Sequence, residues 1–385
     1  MTKKITALLM SVALMASCSN KQTYSDIIPV NEATKVQINL SDYVSSLEYI
    51  PLETTDECLI DRNPSFYVLD DYIIVSTSQQ CFLFNRNGKF IREIGRVGRG
   101  PDEYRFAGRG EVIDEQNKTV LMQGWDKWLE YSFNGMVIRT YPIVPQTTAT
   151  TYVSDGVLVQ GVYNFSGNAV NQLVFTNQEG IFDSIPNHQF FTPFDLSAFG
   201  GMGVEFNFYR YRDGLYYKNL YNDTIFQIKD RQLHSTRIFD MGRYHLPRAV
   251  MANMNTFRQE ARKYNMTQNI LEADPFLLFS IFSERGDSAY IFDKHKNQVF
   301  VMQKEQGLKG FFNDIDGGMP FWPAHINRKQ ELVSFLYPFE MIEMLTIEYF
   351  ERKNIRDEAA NLRLKELIRR LNEEDNPVVV IGRLK

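Results

Sequence analysis

The sequence predicts an all-β chain folded as a six-bladed β-propeller with four-stranded antiparallel blades. Three observations predict it. Aromatic residues make up 14% of the chain, with 29 Phe and 20 Tyr, a supply that suits strands. A hairpin with a glycine turn recurs around Gly88, Gly135 and Gly180, at spacings of 47 and 45 residues. Each copy follows a second hairpin, so one period holds four strands, the size of a propeller blade.

The N-terminus comes before any of this. Lys3 and Lys4 are followed by a short apolar run over residues 5–15, then by Ala16, Ser17 and Cys18. The run is too short to span a bilayer and has the layout of a cleaved export signal. Small residues ahead of a cysteine match a bacterial lipobox, although Met15 stands where leucine is more usual. Residues 1–17 are therefore expected to be the signal, Cys18 the lipidated residue, and 18–35 a polar tether. Acyl chains hold a protein on a membrane at about 0.8 kcal/mol per buried methylene. No acidic cluster follows Cys18, so the periplasmic side of the outer membrane is favoured over surface exposure. Loss of Lys3 and Lys4 takes the net charge from −5 to −7, which argues against a nucleic-acid partner. Cys58 and Cys81 are the remaining thiols, and spacing alone leaves their pairing open.

The repeats then run in order through 36–385. The first strong hairpin turns at Asn87-Gly88, the second at Asn134-Gly135 and the third at Gly180. Asn-Gly accepts the positive φ angles of a tight hairpin. Weaker copies turn near Asp230 and Asn297. Preceding hairpins turn at Asp70-Asp71, Gln116-Asn117, Asp155-Gly156 and Asp213-Gly214. The blades tally as 66–94, 111–143, 150–185, 208–241, 276–303 and 311–337. To close the ring, either 36–40 or a strand at about 377–384 is expected to lend the last blade a strand. An up-and-down barrel fits the long period poorly. Two stretches break the pattern. A helical insertion is expected at about 249–268 and a helical segment at about 338–373. In the latter, Ile355, Ala359, Leu362, Leu367 and Leu371 form an apolar stripe expected to pack on the propeller itself.

Four segments carry a family resemblance: Gly95-Arg-Val-Gly-Arg-Gly-Pro-Asp-Glu-Tyr104, residues 216–226, Asn313-Asp-Ile-Asp-Gly-Gly-Met-Pro-Phe-Trp-Pro323 and residues 374–381. With the lipobox, they make the chain resemble the six-bladed, NHL-like propeller lipoproteins of Bacteroidetes. The resemblance implies fold and envelope location. It implies no reaction, and fold alone supplies none.

Candidate chemistry lies in the inter-blade loops. In residues 96–106, Arg96, Arg99 and Arg105 offer forked donors for a carboxylate or phosphate, and Glu103 and Tyr104 could complete a polar pocket. The competing reading is plain turn chemistry. Asn313, Asp314 and Asp316 alternate oxygens before glycines, as calcium loops do, but the twelve-residue pattern is not completed. A divalent cation such as calcium is thus a weak expectation and no other cofactor is implied. Trp125, Trp128 and Trp322 could stack on a glycan, although propellers use large aromatics as packing. His325, near Trp322, is the one histidine singled out. No nucleophile elbow, P-loop or zinc-type histidine spacing occurs. The leading expectation is a lipid-anchored, non-enzymatic binding or scaffold propeller with a protein or glycan partner. The alternative is a propeller enzyme, a lyase or lactone hydrolase, with a metal at the central channel. A third reading gives the C-terminal helical segment to a protein partner.

Overall fold

The computed structural model describes residues 26–61, 63–107, 112–164, 167–190, 205–251 and 254–385. The lipobox and Cys18 lie outside them. Three strands precede the first blade: β1 (Asp26–Ile28), β2 (Thr34–Val36) and β3 (Val44–Pro51). Blade 1 is β4 (Ser65–Val68), β5 (Tyr72–Ser76), β6 (Cys81–Asn85) and β7 (Phe90–Glu93). Blade 2 is β8 (Val112–Asp114), β9 (Thr119–Gln123), β10 (Lys127–Ser132) and β11 (Val137–Pro142). Blade 3 is β12 (Thr147–Ser154), β13 (Val157–Val162), β14 (Asn171–Asn177) and β15 (Gly180–Pro186). Blade 4 is β16 (Phe206–Tyr211), β17 (Gly214–Asn219), β18 (Thr224–Lys229) and β19 (Gln232–Phe239). Blade 5 is β20 (Met266–Glu272), β21 (Phe276–Phe282), β22 (Ser288–Asp293) and β23 (Gln298–Met302). Blade 6 joins β24 (His325–Ile326) and β25 (Leu332–Leu336) to β26 (Val378–Leu384) and β3. The ring has six blades.

Closure departs from the expectation. The sixth repeat holds only two strands, so two more are needed, and both chain ends supply them. β26 is the third strand, and its Val378, Val379, Val380 and Ile381 are all buried, as a β-branched run between two neighbours should be. β3, not 36–40, is the fourth strand. Residues 34–36 instead run parallel to β23 on the rim of blade 5, as β1 does to β19 on blade 4. Blade 5 also begins earlier than tallied. The helical insertion is α1 (Arg248–Met251) and α2 (Met254–Glu260), and Met266 already belongs to the inner strand β20.

The hairpin glycines do what their turns demand. Gly88 and Gly135 sit at φ +80° and +85°. A Cβ on Gly88 would stand 2.3 Å from the carbonyl oxygen of Pro51, because this tip packs against β3. Between blades the core is aromatic. Phe66 meets Phe335 across blades 1 and 6 at 4.4 Å, and Phe239 meets Phe279 across blades 4 and 5 at 4.9 Å. Cys58 and Cys81 are buried free thiols and do not pair.

Three helices stand between β25 and β26: α3 (Pro338–Met344), α4 (Ile347–Glu351) and α5 (Glu358–Ile368). The Asp357 side chain caps α5 by accepting from Ala360 N–H at 2.9 Å. That cap sets the phase of the helix. Leu364 faces a core with Met319, Met341, Phe350 and Val378, and Ile355, Leu367 and Leu371 of the expected stripe pack against it, whereas Ala359 and Leu362 are exposed. The stripe thus packs on the propeller as expected at three of its five positions, and Ala360 and Leu364 take the buried face at the start of α5 in place of Ala359 and Leu362.

Candidate functional site

The first strand of each blade lines a central channel. β4, β8, β12, β16, β20 and β24 enclose a cavity of about 2080 Å³. One face of the ring carries the turns within each hairpin, which are short. The other carries the long connections, including the five α-helices of the described residues.

The loop of residues 96–106 is mostly self-contained. Glu103 accepts from Arg96 Nε at 2.7 Å and from Gly100 N–H at 2.7 Å. The Gly100 amide and the Arg96 charge hold its carboxyl below the usual range. Gly98 leaves room for this, since a Cβ there would lie 1.9 Å from the carboxylate. Tyr104 is fully buried, donates to Gln79 O at 3.3 Å and packs edge-on against Tyr131. Arg99 lies over the half-exposed Trp125 ring, and Arg105 lies between Trp125 and Phe106. Of the five residues, only Arg105 lines the channel.

The loop of Asn313, Asp314 and Asp316 is a clasp. Asp314 accepts from the N–H and the hydroxyl of Ser41 and pairs with Arg356 Nε at 2.9 Å. Asp316 accepts from Asn313 Nδ2 at 2.8 Å and from Gly318 N–H at 2.9 Å. The Asn361 amide donates to Asp316 O at 2.7 Å. Both Asp314 oxygens, Asn313 Oδ1 and Asp316 Oδ1 face donors of the chain itself and tie the N-terminal segment, the loop and α5 together. That is a structural arrangement rather than the cation cage that the oxygen spacing suggested. Trp322 lines the channel and Trp128 is buried, donating to Gln160 Oε1 at 3.1 Å.

His325 begins β24 and also lines the channel. Its Nε2 accepts from Val68 N–H at 3.4 Å, and burial pushes its pKa down to about 4. It is a neutral wall residue at ordinary pH.

The channel walls hold charges that sequence reading did not single out. Glu205 is buried beside Asn164 and Asn219, and burial pushes its pKa up to about 8. Lys218 is 2% exposed, donates to Asn219 O at 3.1 Å, and is pushed by burial down to about 8. Arg210 donates to the carbonyl of Tyr152, and Arg328 to the Gln116 side-chain oxygen. None of these four has an opposite charge within ion-pair distance among the described residues. Other buried acids do. Glu130 is held by Arg139 at 2.7 Å and Glu272 by Arg237 and Lys294 at 2.8 and 2.7 Å. The missed signal was positional: Arg210 and Glu205 belong to the start of a blade, where side chains face the axis. Among the described residues no three His, Cys, Asp or Glu side chains converge as a metal site would require.

Residues 25–383 match a family model described as "Domain of unknown function (DUF4934)". No curated protein matches the chain. Among solved structures, a protein of Bacteroides fragilis described as exported is similar at 17% identity and TM-score 0.71, over 93% of this chain and 99% of that one. A protein of unknown function from Bacteroides caccae gives 9% identity and TM-score 0.35, over 68% of this chain and 81% of that one. The WD40 domain of Neurospora crassa Pan2 gives 9% identity and TM-score 0.35, over 62% and 64%.

Proposed function

The chain belongs to the DUF4934 family, and from that premise we propose that it is a non-enzymatic binding propeller of the cell envelope, tethered by an acylated Cys18. The supporting observation is the channel. Its wall carries Glu205, Lys218, Arg210 and Arg328, none of them in an ion pair among the described residues, beside acids such as Asp114 and the paired Glu272. Polar groups in a concave, largely pre-formed site are what orient a ligand. The signal-like and lipobox-like residues 1–18 support a ring tethered at a membrane surface, and the net charge of −5 favours envelope ligands over nucleic acid.

Binding is tested on the chain from Ser19, which holds every strand of the ring. A thermal-shift panel of neutral glycans, acidic sugars, peptides and divalent metals should return a ligand that raises Tm. Gln268→Cys labelled with a bulky maleimide obstructs the lumen, since Gln268 lines it and the native thiols are buried. The hit should vanish in the labelled protein. A hit that survives the plug moves the site off the channel, and a panel with no hit removes the reading. For the anchor, full-length Cys18→Ser should lose incorporation of labelled fatty acid and leave the membrane fraction.

A further inference from the structure

The N-terminal segment is a strap on the outside of the ring. Its apolar residues recur every eight positions: Ile28 and Val30, then Val36 and Ile38. Ile28 pairs with Phe239 at the end of β19, and Val36 with Met302 at the end of β23, so one period of the strap covers one blade. The repeat stops at Ile28, because Asn20 and Gln22 stand eight positions before Ile28 and Val30. Cys18 stands eight positions before Asp26, which lies on the rim of blade 4. Even fully extended, that stretch of chain spans about 29 Å, so an anchor on Cys18 stays near this rim.

The strap presents different side chains on its two blades. On blade 5 its middle residue is the exposed Lys35, paired with Val301. On blade 4 the equivalent residue is Ile27, paired with Ile238, and both are exposed. The same architecture thus does not require an apolar side chain at that position. More apolar residues stand beside it. Ile27, Phe190 and Ile238 line one hollow of about 640 Å³, which also reaches the buried Phe239 and Met241. Val170, whose carbonyl accepts from Asn187 N–H at 2.9 Å, belongs to the same end of blade 3. Ile181 and Phe182 continue the strip along β15. Arg231 of blade 4 joins them to it, pairing with Asp183 at 2.5 Å and lying over the Phe182 ring. These six side chains are between 39% and 75% exposed. Single exposed apolar residues are ordinary, but a strip of them marks a surface that meets another apolar phase. Ile91, Met136 and Ile138 make a smaller group on blades 1 and 2, which do not adjoin blade 4.

We propose that this rim of blades 3 and 4 is the face on which the ring rests against the lipid bilayer, with Ile27, Phe182 and their neighbours entering the boundary between headgroups and acyl chains. The proposal rests on the Cys18 anchor proposed above and adds the orientation of the ring. Buried apolar surface strengthens attachment that begins with an acyl anchor. The first strands of the blades line the channel and the outer strands form the rim, so a ring standing on its rim keeps both mouths of the channel in water.

The test uses the full-length acylated chain in phosphatidylcholine vesicles. Ile27→Cys and Phe182→Cys are each labelled with a polarity-sensitive maleimide dye, because the native Cys58 and Cys81 are buried and acylation blocks Cys18. Met136→Cys and Leu362→Cys, also at exposed apolar positions, are the controls. The dyes at 27 and 182 should brighten in vesicles and be quenched by a nitroxide-bearing lipid, and the dyes at 136 and 362 should do neither. Phe182→Asp in the chain labelled at 27 should reduce that quenching, whereas Met136→Asp should leave it unchanged. Equal quenching at all four sites, or quenching at 136 or 362 alone, overturns the proposal. So does a chain that stays in the membrane fraction with no site quenched, a result that leaves the anchor standing. A chain that takes up no fatty acid and stays in solution removes the anchor, and this face with it. The chain from Ser19 should be a monomer with both labels in water. A dimer that shields them would give the rim to a second copy and overturn the membrane assignment.

Discussion

Asp314 in the clasp at residues 313–318 and Glu205 in the wall of the central channel are both buried carboxyls, yet their surroundings differ in kind. In the clasp, Asp314 is 3% exposed and meets three donors from Ser41 and Arg356. In the channel, Glu205 is equally buried and has only amide neighbours. Satisfied groups fix one arrangement of the chain. A carboxyl without a charge partner is held protonated by its burial, and groups perturbed in this way gather at functional sites, which is why the channel reads as the site and the Asp314 contacts as a structural joint.

That contrast can be broken by substitution. The largest expected effect is in the clasp. Asp314→Ala strands the Ser41 donors and the Arg356 charge, and should cost about 3–4 kcal/mol in urea unfolding. A loss under about 1 kcal/mol would show that the clasp is not a structural joint.

Glu205→Gln should do the reverse. The native carboxyl titrates at about 8, above its unfolded value of 4.5. The folded state therefore binds more protons between those values, and stability falls as pH rises from about 4.5 to 8. In Glu205→Gln that slope should vanish, leaving the variant more stable than the native chain by about 3 kcal/mol at pH 9. Equal stability of the two proteins at pH 9 would mean that the carboxyl is compensated after all.

His325 has the opposite sign and a smaller effect. Its folded pKa of about 4 lies below the ordinary 6.5. The unfolded state binds the extra proton, so the native chain loses stability as pH falls from 6.5 to about 4. His325→Gln keeps an acceptor for Val68 N–H and should remove about 2 kcal/mol of that acid loss. A native-like acid slope in the variant would assign the loss to other groups.

The smallest effect is expected in the loop of residues 96–106. Arg96 is 77% exposed, so its pair with Glu103 is screened by solvent. Arg96→Ala should shift Tm by less than about 1 °C. A larger change would make this loop part of the stabilising framework.

The sequence was most legible where information is local. Asn87-Gly88 and Asn134-Gly135 announce hairpins because the needed backbone angles depend on those residues alone. The 47- and 45-residue spacings follow from one blade per repeat, and six blades are what the chain forms. Closure was half legible. The apolar run at 378–381 shows a buried strand, but nothing local says that Val44–Pro51 rather than 36–40 lies beside it. The cap of α5 is Asp357, and a stripe counted across the break before it is right at Ile355, Leu367 and Leu371 but off the buried face at Ala359 and Leu362.

The candidate site was less legible still. Arg96, Arg99, Glu103 and Tyr104 were singled out by composition, and the structure spends them on the loop's own bonds and packing. Arg105, Trp322 and His325 do reach the channel.

What the sequence alone determined is the repeat, its turns and hence the propeller, because period-two strands and glycine turns are properties of neighbouring residues. What only the tertiary structure decided is which charges find partners. Ser41 meets Asp314 from 273 positions away, while the equally buried Glu205 meets only amides. Pairing across a closed ring depends on which blades face one another, and no local pattern records that distance.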